Sequence, residues 1–370
     1  MKITVVGYGI QGRAQALNLR DSGHDVIIAN RQDHYLTQAE KDGFKVMSIE
    51  ESIRDSEVIF LLIPDAAQDD VLHNYIFPNI NVGSSIVFAH GYWLSYECKN
   101  LPKNIDVFMI APRFPGEQIR QTYLMGGGVP AYVDIVQDYT CNGESTLKDL
   151  TDSLGFSKGG LINLSFKQEA EIDLFIEQFM APTFFASAET AFQVLIDKGY
   201  PKEAVCLELY YSGELGAVRS MMGRDGLYKG FQNNASPTCQ YGVSSSRELL
   251  WGQDMKKKAE MQLDRITSGK FSEELSDQKN ASKYKANLKK AHKDLDKLTK
   301  KVKSDLNKDF KSIVFHDAYQ YFEKRFDVNV LGAFTVNTDV MPGAEQLAEI
   351  REIIEHDKVC LLYTSDAADE

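Results

Sequence analysis

The run FKQEAEIDLFIEQFM, residues 166–180, carries Glu169, Asp173 and Glu177 at intervals of four. On a helix that interval puts the three carboxylates on one face. Like charges so placed destabilise a helix by about 0.2–0.5 kcal/mol per pair. Ile172, Phe175, Ile176 and Phe179 require burial on the adjoining face. The column thus borders a core, and either a bound cation or plain hydration must offset its repulsion. Spacing alone favours hydration, because charged helix faces are usually just solvated.

A second group of residues points to a nucleotide. Gly7-Tyr8-Gly9-Ile10-Gln11-Gly12 matches GxGxxG. It follows the strand ITVVG, opens the helix RAQALNLRDSG and precedes the strand DVIIAN, the context that a dinucleotide fingerprint needs. The glycines permit a tight turn and let backbone N–H groups approach a pyrophosphate at the helix N-terminus. The second strand ends at Asn30-Arg31. An acid there binds the ribose 2′-hydroxyl of NAD, whereas an arginine suits the 2′-phosphate of NADP. Arg31 favours NADP, and nearby Asp33 leaves NAD open. His90, in FAHG, ends another predicted strand. A histidine beside apolar residues is commonly a satisfied core group, but ligands gather at the C-terminal ends of strands in such sheets.

These residues need a scaffold, and the order of elements predicts one. EESIRDS, EVIFLLIP, IVFAHG and DVFMIAP continue the alternation of strand and helix to about Leu150. The expected fold class is α/β, a Rossmann-type doubly wound parallel sheet in residues 1–150. An all-helical domain follows in residues 151–275, where DLFIEQFMAPTFFASAETAFQVLIDKGY and KEAVCLELYYSGELGAVRSMM are nearly free of proline. From Ser276 the composition turns lysine-dense, and apolar residues from Tyr284 to Leu306 at spacings of three and four predict a long amphipathic helix. Its lysines alternate with aspartates, which suits a solvated face. KSIVFHDAYQYFEKRF and VLGAFTVN then resume strand and helix as a partial α/β lobe.

Composition narrows the partners. The chain has 370 residues, 43% hydrophobic and 25% charged, with a net charge of −12. That balance argues against nucleic acid. No apolar run in the sequence reads as long enough to span a bilayer. The start reads as strand and turn rather than an export signal, and five scattered cysteines without CxxC pairs fit a reducing, cytoplasmic setting.

VVGYGIQGRAQALNLRDSG, LLIPD, VFAHG, MIAPRFPG, GGGVPAYVDIVQD and FKQEAEIDLFIEQ occur in an order that resembles the ketol-acid reductoisomerases, over residues 1–275. The resemblance implies an acetohydroxy acid substrate such as 2-acetolactate, a magnesium-assisted alkyl migration, reduction by NADPH, and a role in branched-chain amino-acid biosynthesis. It implies a homodimer or larger homo-oligomer. Asp173 and Glu177 become magnesium ligands, with Asp173 bridging two ions, which favours the cation over hydration as the answer to the acidic column. His90 takes the place of the family's active-site histidine. Arg113, in APRFPG, stands where the family usually has lysine; it keeps the charge but is a poor proton donor. Gly116 would approach the nicotinamide side, and Ser236 matches a serine that binds substrate carboxylate, although Gln240 replaces the usual acid nearby.

The second carboxylate pair departs from the pattern. The family has two glutamates four apart on a later helix, contributed across the dimer interface. Here Glu214 matches one, Tyr210 stands for the other, and Glu208 lies six residues from Glu214 on a different face. That leaves open one or two magnesium ions, and a plain NADP-dependent keto or hydroxy acid reductase without isomerase activity as the alternative.

Residues 276–359 instead resemble the C-terminal half of zinc-binding proteins that feed ABC importers, with His316 of FHDAY as one zinc ligand. One histidine cannot supply the four ligands zinc prefers, so a zinc-binding transport component is the reading from another class. CLLYTSDAADE, residues 360–370, reads as a translated sequencing adapter, so the expectation is a chimeric chain with a non-native end.

Overall fold

A computed structural model describes residues 1–250 and 254–277, four helical lysines (Lys289, Lys293, Lys297, Lys300) and three later strands. The chain divides into two compact units, Met1–Glu273 and Glu274–Glu370.

The first unit is built on an eight-stranded sheet. Its strands are β1 (Lys2–Val6), β2 (Asp25–Ala29), β3 (Lys45–Met47), β4 (Val58–Leu61), β5 (Ser85–Phe88), β6 (Asp106–Pro112), β7 (Ala131–Gln137) and β8 (Leu161–Asn163). Their order is β3-β2-β1-β4-β5-β6-β7-β8. The pairs from β3 through β6 are parallel, so the expected doubly wound sheet is present. β7 runs antiparallel to β6, and β8 pairs parallel with β7. Mostly parallel is therefore the description, where the sequence predicted parallel.

Continuous apolar runs such as VIFL and SIVF arise because a parallel sheet is covered on both faces. Successive residues point to opposite faces. Val58 and Phe60 enter one core with Ile3, Val5 and Phe108, while Ile59 and Leu61 enter another with Val6, Ile86 and Trp93. The strand order reverses between β1 and β4, and ligands bind outside the C-terminal ends of strands at such a switch point.

Helices follow the sheet, as expected. The longest among the described residues spans Phe166–Asp197, 32 residues. Ser165 caps it by accepting from the Gln168 N–H, an S-x-x-Q start. Its first turns bury Glu169, Ala170 and Leu174, the last packing with Tyr92 and Ile266. Beyond them Ile176, Met180, Phe184, Phe185 and Val194 are exposed. Among the described residues this helix is long and apolar enough, by length and composition, to cross a membrane. That corrects the expectation that no segment reaches the length. Scattered Gln, Thr and Ser interrupt the apolar run, yet only Glu189 is charged from Gln178 to Leu195.

In the second unit β9 (Lys311–His316), β10 (Asn329–Thr335) and β11 (Leu361–Tyr363) form a parallel sheet of order β10-β9-β11. The strands expected in KSIVFH and VLGAFT are there. Leu361–Tyr363, expected to be part of a non-native tail, pairs with β9. Apart from the four lysines, the basic helix expected after Ser276 lies outside the described residues.

Candidate active site

The glycine turn is held from both sides. Gly7 has φ +98, and a Cβ there would sit 2.6 Å from the Leu62 carbonyl oxygen. A Cβ on Gly12 would sit 2.0 Å from the Gly7 carbonyl oxygen, so the helix Ile10–Asp21 can start this close to β1 only without a side chain. The Tyr8 N–H donates to Asn30 Oδ1 at 3.0 Å, and the buried Tyr8 hydroxyl donates to Asp42 Oδ2 at 2.8 Å. Burial, reinforced by Asp42, raises the Tyr8 pKa, so the hydroxyl stays a donor. Gly9 and Ile10 lie at the helix start, with Ile10 69% exposed, and Gln11 reaches across to the Phe114 carbonyl at 3.0 Å. The loop is thus a preformed cradle whose open N-terminus faces outward.

At the end of β2, Arg31 Nε pairs with Asp33 Oδ2 at 2.8 Å. Asp33 has other duties. Its side chain caps the helix His34–Lys41 through the Tyr35 N–H and accepts from Asn30 Nδ2. Arg31, by contrast, is 87% exposed at its side chain. The arginine is open to solvent apart from this one pair, while the acid is tied to the fold.

Past the C-terminal ends of β4, β5 and β6 lies a cleft of about 440 Å³, lined by Gln11, Asp65, His90, Arg113, Asp173 and Glu177 among others. His90 Nδ1 is 3.5 Å from Asp65 Oδ2, and Gln68 Nε2 holds the other Asp65 oxygen at 3.1 Å. His90 Nε2 is 3.5 Å from Asp173 Oδ2 and 3.8 Å from Glu169 Oε2, buried and without a hydrogen-bond partner. Burial of the ring pushes its pKa down, but Asp65, Glu169 and Glu177 outweigh that and the net shift is upward. Glu169 is fully buried. It accepts from the Gly91 N–H at 2.7 Å and from Arg113 Nη1 at 2.8 Å. Burial raises its pKa against the opposing pull of His90, Gly91 and Arg113. The other arm of Arg113 donates to Asp173 Oδ1.

The structure thus brings His90, Arg113, Asp173 and Glu177 into one cleft. Gly116 lies against the glycine turn: a Cβ there would strike the Ile10 carbonyl oxygen at 2.0 Å, so its smallness permits this close approach. Glu214 and Ser236 do not line the cleft. Glu214 is exposed at the start of the helix Glu214–Asp225, and the Ser236 hydroxyl accepts from the Cys239 N–H. Tyr210 lies within a π-helical turn, Leu207–Tyr211, and Gly213 at φ +77 interrupts the helix before Glu214. Glu208 and Glu214 therefore belong to separate helices.

Asp65 and Gln68 were missed from sequence. Their only signal was the position of LLIPD at a strand end. The donor chemistry of the cleft fits magnesium, since Asp173 and Glu177 supply the hard oxygen ligands it prefers. His90, Glu169 and Asp173 also present ligand atoms within 4.8 Å of one another.

Comparison with known proteins adds independent findings. The family model "Acetohydroxy acid isomeroreductase, NADPH-binding domain" matches residues 1–160, and "Ketol-acid reductoisomerase, C-terminal domain" matches residues 166–311. A third, "Zinc-uptake complex component A periplasmic", matches residues 261–370. A ketol-acid reductoisomerase (NADP(+)) of Sulfurisphaera tokodaii is 38% identical over 274 residues, covering 74% of this chain and 82% of the relative. One from Pyrobaculum aerophilum is also 38% identical, covering 74% and 83%. Among solved structures, an NADH-preferring ketol-acid reductoisomerase from an uncultured archean superimposes with a TM-score of 0.74 at 29% identity, over 80% of this chain and 89% of that one.

Proposed function

This chain belongs to the ketol-acid reductoisomerase family, and on that premise we propose how its residues serve the reaction. The protein is an NADP-dependent oxidoreductase, a ketol-acid reductoisomerase that turns 2-acetolactate or 2-aceto-2-hydroxybutanoate into a 2,3-dihydroxy acid. The observation that carries the site assignment is the convergence of His90, Arg113 and Asp173 at strand ends reaching from β5 and β6 to the long helix.

When bound, magnesium supplies Lewis acidity and NADPH supplies the reducing equivalent. The open backbone N–H groups at the helix start, from Gly9 to Gly12, would hold the pyrophosphate, and Arg31 would leave Asp33 to meet the adenosine 2′-phosphate. Asp173 and Glu177 hold magnesium. His90 presents Nε2, its unpartnered atom, to take up a proton from the substrate hydroxyl, while Asp65 fixes the ring through Nδ1. Arg113 orients oxygens; with its very high pKa it does not donate the proton. Leu61, Leu62, Ile63 and Phe114 give the cleft an apolar wall.

Full-length protein is expected to oxidise NADPH only when 2-acetolactate and magnesium are both supplied. Turnover that survives chelation would defeat the metal assignment. In the same assay Arg31→Ala should raise KM for NADPH about tenfold, the loss of one charge-assisted contact, and leave KM for NADH unchanged. Equal effects on both coenzymes would remove Arg31 from the phosphate subsite.

We further propose a cytoplasmic homodimer. The exposed apolar residues of the helical region, Ile176, Phe185, Tyr210 and Leu215 among them, are the surface it would bury. Pairing would bring Glu214 and Ser236 of one copy to the cleft of the other. Light scattering at the monomer mass of 41.6 kDa would exclude it. The zinc-protein-like segment is proposed as the product of a join between unrelated coding sequences, which an unbroken genomic copy of the whole reading frame would refute.

A further inference from the structure

Of the four carboxylate oxygens on Glu169 and Asp173, three accept hydrogen bonds. Glu169 Oε2 takes the Gly91 N–H at 2.7 Å, and Oε1 takes Arg113 Nη1 at 2.8 Å. Asp173 Oδ1 takes Arg113 Nη2, and Oδ2 faces His90 Nε2 at 3.5 Å. A metal ion and the guanidinium draw on the same carboxylate charge of Asp173, and at Oδ1 the guanidinium already holds the place.

Arg113 is seated to keep that claim. Its backbone N–H is fixed to the Pro130 carbonyl at 2.9 Å. Its guanidinium lies over the Tyr132 ring, 5.1 Å from the centroid. The planar fork spans two carboxylates at once, one arm to each, which a lysine ammonium on a flexible stem cannot match. The fully buried Glu169 anchors one arm permanently, so the other stays poised at Asp173.

We propose that Arg113 is a resident cation which occupies Asp173 until magnesium displaces it. The inference rests on the reading of Asp173 as a magnesium ligand. Without the metal, the guanidinium offsets the repulsion within the acidic cluster. With it, the arm toward Asp173 must withdraw while the arm on Glu169 holds. A site whose competent form is only partly populated binds with reduced apparent affinity. The departure from lysine at this position thus sets the affinity for magnesium, as well as the proton chemistry.

Calorimetric titration of the chelated full-length protein with magnesium chloride, without substrate, tests this. Arg113→Ala should bind magnesium about tenfold tighter than the parent, the fold-change for one charge-assisted contact removed from competition. Millimolar methylguanidinium should refill the vacated place and drive that affinity back toward the parent value, with no effect on the parent. Arg113→Lys, which retains the charge and so the fold if alanine does not, should bind severalfold tighter than the parent. Parent-like or weaker binding in the variants that fold, or indifference to methylguanidinium, would overturn the proposal. Asp173→Asn separates the underlying assignment. Loss of binding there upholds Asp173 as a ligand, and unchanged binding removes both that assignment and the competition.

Discussion

Asp173→Asn is expected to lower turnover of 2-acetolactate by about 10³-fold or more while leaving NADPH binding at its parent value. The amide is nearly isosteric, so the cleft keeps its shape and only the charge is lost. On the proposed assignment of Asp173 as a magnesium ligand, the missing charge weakens the ion's hold, and a Lewis-acid ion of this kind contributes several kcal/mol of transition-state stabilisation. At 1.36 kcal/mol per tenfold, about 4 kcal/mol corresponds to the stated factor. The turn after β1 and the loop after β2, to which NADPH binding is assigned, are not lined by Asp173. Steady-state turnover alongside a fluorescence titration of NADPH reads both quantities. A variant within tenfold of the parent at saturating magnesium would show that the reaction does not pass through this carboxylate. A matching loss of NADPH affinity would show that the substitution disturbed the fold instead.

Glu169→Ala should cost about 3–5 kcal/mol of stability, the range for removing one partner from a buried ion pair. Glu169 is fully buried, while the Arg113 side chain is 30% exposed. Removing the carboxylate leaves the Gly91 N–H without its acceptor and strips Arg113 of its anchor. The contact is also geometric. A Cβ on Gly91 would lie 2.0 Å from the Phe166 carbonyl oxygen, so the chain after β5 and the start of the long helix meet backbone to backbone. Without Glu169 that junction loosens, and His90, one residue before Gly91, loses its placement. Urea unfolding should show a lower midpoint, and turnover should fall as well. Glu169→Gln keeps an acceptor for the Gly91 N–H and should recover part of the stability. A change below about 1 kcal/mol in the alanine variant would mean that the junction is held by apolar packing alone.

Much of the scaffold could be read from the chain alone. Short apolar runs such as VIFL and IVF, alternating with helical segments, read as strands covered on both faces, and GYGIQG between a strand and a helix reads as a tight turn at a helix start. Family-like motifs in order then pointed to His90, Asp173 and Glu177, which the cleft brings together. The reversal of β7 escaped detection because an interior strand reads the same in either direction, and the sense of a strand is set by its connection and neighbours.

The acidic column shows where local pattern ends. Glu169, Asp173 and Glu177 share a face by spacing, but four residues advance a helix by about 40° beyond a full turn, so the outer two diverge by about 80°. Packing on the sheet domain turned that drift into different environments: Glu169 fully buried, Asp173 18% exposed at its side chain, and Glu177 open at the rim. The pairing of Arg113 with acids some sixty positions away depends on where β6 ends relative to the long helix, a distance no local periodicity encodes. Residue types and spacing established which groups could do chemistry. Tertiary packing decided which of them face the cleft and which oppose one another there, because burial and electrostatic partnership are properties of the folded neighbourhood.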